Sequence, residues 1–249
     1  MLQLDHAQLS SVKLIATDMD GTLTQEGKFT SQLLTILESL AAKNIPVLIV
    51  TGRSAGWVSG IAHYLPITGA IAENGGLFYN NQNQTSELIT DINKVKVHRS
   101  ELKQVFQLIQ NKFPQIKESS DNKFRLTDWT FDISSLKVPQ LETMNSMCRD
   151  AGFDFTYSTV QCHIKPQQQD KATALQQVIK KHFSHLTPHQ VVTVGDSPND
   201  ESLFNSDYFP LSVGVANIKD YCDRLQHQPQ YVTHFTEVQG FCELITALT

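Results

Sequence analysis

The sequence predicts an α/β fold: a doubly wound, mostly parallel sheet (a Rossmann-like core) with an inserted α+β unit. Three observations carry this prediction. Five short β-branched apolar runs alternate with helix-like segments. Each run is continuously hydrophobic, as a parallel strand buried on both faces requires. In the middle of the chain the pattern changes to looser alternation, which suits a sheet with one wet face.

The buried runs are residues 12–18 (VKLIATD), 45–52 (IPVLIVTG), 67–75 (ITGAIAENG), 191–197 (VVTVGDS) and 211–217 (LSVGVAN). Between the first two, residues 29–44 (FTSQLLTILESLAAKN) place apolar side chains at helical spacing behind Thr30 or Ser31 as N-cap. Strand then helix, repeated, winds right-handed. Residues 80–87 (NNQNQTSE) are polar and read as a surface loop. Then follow a helix over 100–113, a strand over 124–133 (FRLTDWTFDI), a helix starting near Pro139, and strands over 153–159 and 161–166. The expected division is therefore a core from residues 1–80 and 167–249, with an α+β cap at 81–166.

Composition removes several function classes. The chain has 249 residues, 40% hydrophobic, and a net charge of −5 with no long basic run, so nucleic acid is excluded as partner. No apolar run approaches the roughly 20 residues a membrane helix needs, and the N-terminus lacks the pattern of a secretory signal. Cys148, Cys162, Cys222 and Cys242 are scattered without C-x-x-C spacing, which suits free thiols in a reducing, cytoplasmic setting.

Candidate chemistry sits where strands should end, the place where open α/β sheets bind ligands. Asp18 closes the first run and Asp20 follows within TDMDGTLT, where Gly21 permits a sharp turn. Asp196 closes the fourth run within GDSPNDESLF, with Asn199 and Asp200 entering a helix. Taken singly, an Asp-Gly turn and an Asp-capped helix explain these segments without function. Taken together, Asp18, Asp20, Asp196 and Asp200 crowd neighbouring strand ends. Each like-charged pair about 4 Å apart costs roughly 4 kcal/mol at an effective dielectric near 20. A compensating cation is the economical explanation, and an all-oxygen set suits Mg²⁺. Thr51, Gly52 and Arg53 end the second run, where a hydroxyl and backbone N–H groups at a helix start can receive an anion. Lys171 opens a helix against the dipole, which suggests that it serves an anion rather than solvent. Arg125 and Asn74 are further candidates for substrate contact; a surface ion pair and a simple turn are their structural alternatives. The histidines at 182, 185 and 189 read as solvated, and Trp57 and Trp129 as packing residues.

These motifs resemble the haloacid dehalogenase superfamily. Its D-x-D-G-T loop matches Asp18 to Thr22, its strand-ending hydroxyl Thr51, its lysine Lys171, and its G-D-x-x-N-D loop Gly195 to Asp200. ENGG at 73–76 and the position of the insert resemble the subgroup with a large α/β cap, which includes Cof-like and sucrose-phosphate phosphatases. The resemblance implies a Mg²⁺-dependent phosphomonoesterase acting on a small phosphoester, with a sugar phosphate the first expectation. It implies Asp18 as nucleophile, Asp20 as acid and base, and Asp18, Asp20 (through its carbonyl) and Asp196 around the metal, with Asp200 supporting them. Thr51, Lys171 and Asn199 would hold phosphate. A phosphomutase shares the cap type but carries a different last motif, and a non-catalytic binding module usually lacks one of these groups.

Overall fold

The computed structural model describes residues 1–4, 9–133, 136–158 and 160–248. The chain begins with β1 (Leu2–Gln3), β2 (Leu14–Thr17), α1 (Ser31–Ala42), β3 (Val47–Val50), α2 (Ala55–Tyr64) and β4 (Gly69–Ala72). A hairpin follows, β5 (Leu77–Asn80) and β6 (Thr85–Leu88). The middle comprises α3 (Val95–Lys112), β7 (Trp129–Asp132), α4 (Val138–Asp150), β8 (Phe153–Tyr157) and β9 (Gln161–Pro166). The chain then returns through α5 (Lys171–His182), β10 (Val191–Gly195), β11 (Leu211–Gly214), β12 (Tyr231–Val232) and α6 (Glu237–Leu248).

Nine strands form one sheet in the order β1-β12-β11-β10-β2-β3-β4-β5-β6. Pairing is parallel from β1 through β4, and antiparallel for β4–β5 and β5–β6. Alternate strand residues feed two cores. Ile15 and Ile49 face Leu33, Leu37 and Phe241 on one side, whereas Ala16, Leu48 and Val50 face Ala172, Leu175 and Val178 on the other. This two-sided burial is why the strands read as unbroken apolar runs. Thr30 is the N-cap of α1, its side chain accepting from Leu33 N–H.

A separate antiparallel sheet, β7-β9-β8, packs with α3 and α4 around Phe106, Phe131, Met144 and Ile164. Several expectations shift here. Residues 85–87, expected in a surface loop, lie in β6, which extends the main sheet. Being an edge strand with mostly exposed side chains, β6 lacks the apolar pattern of its neighbours. The strand expected over 124–133 shortens to Trp129–Asp132, because 120–124 coil into a 3₁₀ turn and 125–128 lie against the core. Helix α3 starts at Val95 rather than 100. The strand expected to reach 159 is described to Tyr157, and Thr159 lies outside the described residues. No helix among the described residues is long and apolar enough to cross a membrane.

Candidate active site

Strands β10, β2 and β3 are adjacent and parallel, with Thr17 registered against both Val194 and Ile49. That register brings Asp196, Asp18 and Thr51 to one edge of the sheet, each one or more residues past its strand. Asp18, Asp196 and Asp200 are buried, and one oxygen from each lies within 4.8 Å of the others. Asp200 reaches them from the 3₁₀ turn Pro198–Phe204, where its Oδ2 accepts from the N–H groups of Asp196 (3.0 Å) and Ser197 (3.1 Å). Its Oδ1 accepts from Lys171 Nζ at 2.6 Å, and the same ammonium donates to Asp18 Oδ1 at 2.5 Å. Lys171 is fully buried at the first position of α5, behind the Asp170 cap.

Electrostatics shows what is missing from this set. Burial pushes the Asp18 carboxyl up to about 7, against the pull of Lys171, with Asp200 and Asp20 adding to the rise. Asp196 is raised well above the ordinary range by burial and by Asp18 and Asp200. Burial works to strip the Lys171 proton, but its two carboxylate partners outweigh it and raise the lysine. Three carboxylates against one ammonium leave two uncompensated negative charges in a buried, all-oxygen nest. That donor set fits a divalent hard cation such as Mg²⁺.

Two neighbours missed by sequence reasoning aim Asp196. Thr22 Oγ1 donates to its Oδ1 at 3.0 Å, and Asn217 Nδ2 donates to its Oδ2 at 2.9 Å and to the Gly21 carbonyl at 3.1 Å. Gly21 has φ +83°, and a Cβ there would stand 2.4 Å from Asp196 Oδ2, so the turn needs glycine twice over. Asp20 stands apart from the carboxylate cluster. Its side chain takes a two-pronged contact from Arg53, Nε to Oδ2 at 2.9 Å and Nη2 to Oδ1 at 2.5 Å. Of the four expected metal residues, Asp20 therefore has only its backbone carbonyl to offer. Arg53 also stacks over Trp57, 5.0 Å from the ring centroid, so this tryptophan serves the site's rim rather than the core.

Thr51 is buried, its Oγ1 accepting from Arg53 N–H at 3.1 Å. Asn199 Nδ2 donates to Asn74 Oδ1 at 3.0 Å, while Asn74 Nδ2 is buried with no partner. An orphaned buried donor costs about 1–3 kcal/mol, and an anionic oxygen would satisfy it. Asp18, Asp20, Gly52, Arg53 and Asn199 all line a small, partly open cavity of about 20 Å³ whose opposite wall comes from β9 and the turn before it.

Arg125 does not reach that cavity. It is buried, donating to Asp121 (2.9 Å), to both oxygens of Asp128 (2.9 and 3.0 Å), to Gln161 (2.9 Å) and to the Gly52 carbonyl (3.0 Å). It holds the smaller unit to the core instead of presenting a free guanidinium. Glu73 does the same from the other side. Its carboxylate accepts from Ala55 N–H (2.8 Å), Leu126 N–H (3.0 Å), Thr127 N–H (2.6 Å) and Thr127 Oγ1 (2.7 Å). Gln169 adds bonds to the Glu73 carbonyl (2.7 Å) and to Thr127 Oγ1 (3.0 Å). In sequence Glu73 is one residue of a turn-like ENGG, and nothing local marks it as a clasp.

The comparisons with known proteins agree with this geometry. The family profile described as sucrose-6F-phosphate phosphohydrolase matches residues 11–247. The chain belongs to this family. It is a phosphatase of the haloacid dehalogenase superfamily. A phosphoglycolate phosphatase of Sulfolobus acidocaldarius is 30% identical over 210 residues, covering 83% of this chain and 85% of the relative. A phosphoglycolate phosphatase of Methanothrix thermoacetophila is 26% identical over 247 residues, covering 94% and 96%. Among solved structures, a sucrose-phosphatase from Synechocystis sp. PCC6803, in complex with sucrose and phosphate, superposes with a TM-score of 0.71 at 18% identity, covering 100% of this chain and 98% of that one. A haloacid dehalogenase-like hydrolase from Bacteroides thetaiotaomicron gives 0.70 at 18% identity, covering 96% and 100%. Both structures share the fold of the present chain, whose main sheet is mostly parallel with a smaller antiparallel one beside it.

Proposed function

We propose that this phosphatase is a Mg²⁺-dependent phosphomonoesterase that hydrolyses a small phosphorylated metabolite, sugar phosphates first among them, through a phosphoryl group carried on Asp18. The observation that carries the reading is the buried trio Asp18, Asp196 and Asp200 with Lys171 as its single cation.

Asp18, Asp196 and the Asp20 carbonyl would hold the ion, with Thr22 and Asn217 fixing Asp196. When bound, the ion neutralises the charge between an anionic nucleophile and an anionic phosphate. Asp18 attacks phosphorus in line, forming an acyl phosphate and expelling the alkoxide. Asp20 gives that alkoxide a proton and then takes one from the water that cleaves the acyl phosphate. Before it can do so it must leave Arg53, whose guanidinium then becomes free for a phosphate oxygen. Lys171, Thr51, the Gly52 N–H, Asn199 and the unpartnered Asn74 amide would take the remaining oxygens, with the Arg53 N–H holding the Thr51 hydroxyl. Asp200 keeps Lys171 and the loop in place. The segment from about residue 89 to 168 acts as the cap. Because the cavity is only about 20 Å³, on the order of one water, the cap lifts to admit substrate and shuts to exclude water.

Replacing the nucleophile tests the reading. Asp18→Asn is expected to lower kcat on p-nitrophenyl phosphate by at least about a thousandfold with unchanged far-UV circular dichroism. Undiminished turnover in that variant would refute the assignment.

A further inference from the structure

The cap's contribution to the cavity wall is chemically distinctive. Ser158, Val160, Gln161 and His163 face Asp18 and Asp20, and none carries a fixed charge. The nearby cations are engaged with carboxylates: Arg53 with Asp20, Lys171 with Asp18 and Asp200, and Arg125 with Asp121 and Asp128. Substrate phosphate can claim Arg53 and Lys171, but the described cap residues of this wall carry no positive charge for a second anionic group, and Lys165, two positions past His163, is held by Asp154 and the Gln169 carbonyl.

Among the described residues of this wall, Ser158 Oγ accepts from the Val160 and Gln161 N–H groups and Gln161 is tied to Arg125 and Asp121, while His163 alone offers a ring nitrogen as an open acceptor. It sits on β9 between the buried Cys162 and Ile164, with Nδ1 2.8 Å from Asp128 Oδ2. Arg125 holds the Asp128 carboxylate below its ordinary range, together with the His163 bond, against the upward push of burial. An ionised carboxylate only accepts, so the ring proton belongs on Nδ1 and Nε2 is left as an acceptor. Nε2 has no protein hydrogen-bond partner among the described residues. Burial also keeps the imidazole below its ordinary value, despite Asp128, which favours the neutral ring. The ring edge lies directly over the phosphate loop: a Cβ on Gly52 would be 3.1 Å from His163 Cε1 and 3.1 Å from the unpartnered Asn74 Nδ2.

From this geometry we infer that His163, positioned by Asp128, reads the leaving group by accepting a hydrogen bond from one of its hydroxyls, so that the preferred substrates are phosphate esters of polyols. A carboxylate in the same place would meet a lone pair and no free cation, so 2-phosphoglycolate is the disfavoured class. The inference rests on the phosphomonoesterase reading above and narrows its substrate.

The test is steady-state kinetics with Mg²⁺ on glycerol phosphate, a hexose phosphate, 2-phosphoglycolate and p-nitrophenyl phosphate. Wild type is expected to show a higher kcat/KM on the polyol esters than on 2-phosphoglycolate. In His163→Leu, the ratio of polyol ester to p-nitrophenyl phosphate should fall about 10- to 100-fold, the loss of one buried hydrogen bond. His163→Gln, whose amide oxygen can accept, should recover part of it. Asp128→Asn supplies an N–H donor to Nδ1, which moves the ring proton to Nε2 and should raise the ratio of 2-phosphoglycolate to polyol ester. A purely structural role for Asp128 would not move that ratio. Should Asp128→Asn fail to fold, the Leu and Gln variants decide alone. A wild type that prefers 2-phosphoglycolate, or an unchanged ratio in His163→Leu, overturns this inference and leaves the phosphatase reading standing. A wild type inactive on every ester overturns both.

Discussion

Mg²⁺ binding should depend steeply on pH, in a direction the carboxylate nest dictates. Asp18 rises from an ordinary 3.8 to about 7, and Asp196 is raised as well. A carboxyl raised on folding holds its proton in the folded chain across a window where the unfolded chain has lost it. The metal-free protein therefore loses stability as pH climbs from about 4 to about 7. For Asp18 alone, a rise of about three pKa units at 1.36 kcal/mol each costs about 4 kcal/mol once the window is passed. A divalent ion removes that cost, but must first displace the proton. For one carboxyl titrating near 7, the ionised fraction falls from about nine-tenths at pH 8 to about one-tenth at pH 6, so Kd should weaken about tenfold. Asp196, raised in the same direction, adds to the steepness. Isothermal titration calorimetry at both values, in buffers of different ionisation enthalpy, gives Kd and the protons released. The expected result is tighter binding at pH 8, with close to one proton released per ion bound at pH 6 and close to none at pH 8. An affinity that does not change between the two values, with no proton release, would refute the crowding argument.

Two further outcomes follow from single side chains. Glu73→Gln replaces a carboxylate that accepts from four donors by an amide that must face some of them with its own N–H groups. A loss of about 2–4 kcal/mol is expected, seen as a melting temperature lower by about 5–15 °C; a shift under about 2 °C would show that the clasp contributes little. Asn217→Ala removes one of the two side chains aiming Asp196 and should weaken Mg²⁺ about tenfold with little change in melting temperature; calorimetry that finds the wild-type affinity would remove Asn217 from the site.

The parts of the molecule that were legible in the sequence are those where local pattern and global burial coincide. Strands β2, β3, β4, β10 and β11 lie between two helical layers, so nearly all of their residues are apolar, and the first charged residue after β2 and β10 marks the sheet edge where Asp18 and Asp196 sit. Lys171 was legible because a buried lysine at a helix start defies the dipole. Other features depend on distant partners. Strand β6 is held by its hydrogen bonds to β5 while its side chains face solvent, so no hydrophobic period announces it. Arg125 looked free because Asp121, Asp128 and Gln161 converge on it only once the 3₁₀ turn at 120–124 and β9 are in place. The His163–Asp128 contact joins β9 to a loop 35 positions earlier, and Asn217 reaches Asp196 from the far end of β11. Both are products of topology, which residue spacing does not encode.

Asp18, gathered with Asp196 and Asp200 around a divalent ion, is expected to accept the phosphoryl group. Acid quench of the enzyme during turnover of a labelled phosphoester, followed by peptide mass spectrometry, reads this directly. Label is expected on the peptide containing Asp18, present with Mg²⁺ and absent when the ion is chelated. Steady turnover with no label on that peptide, or label carried by a different residue, would contradict it.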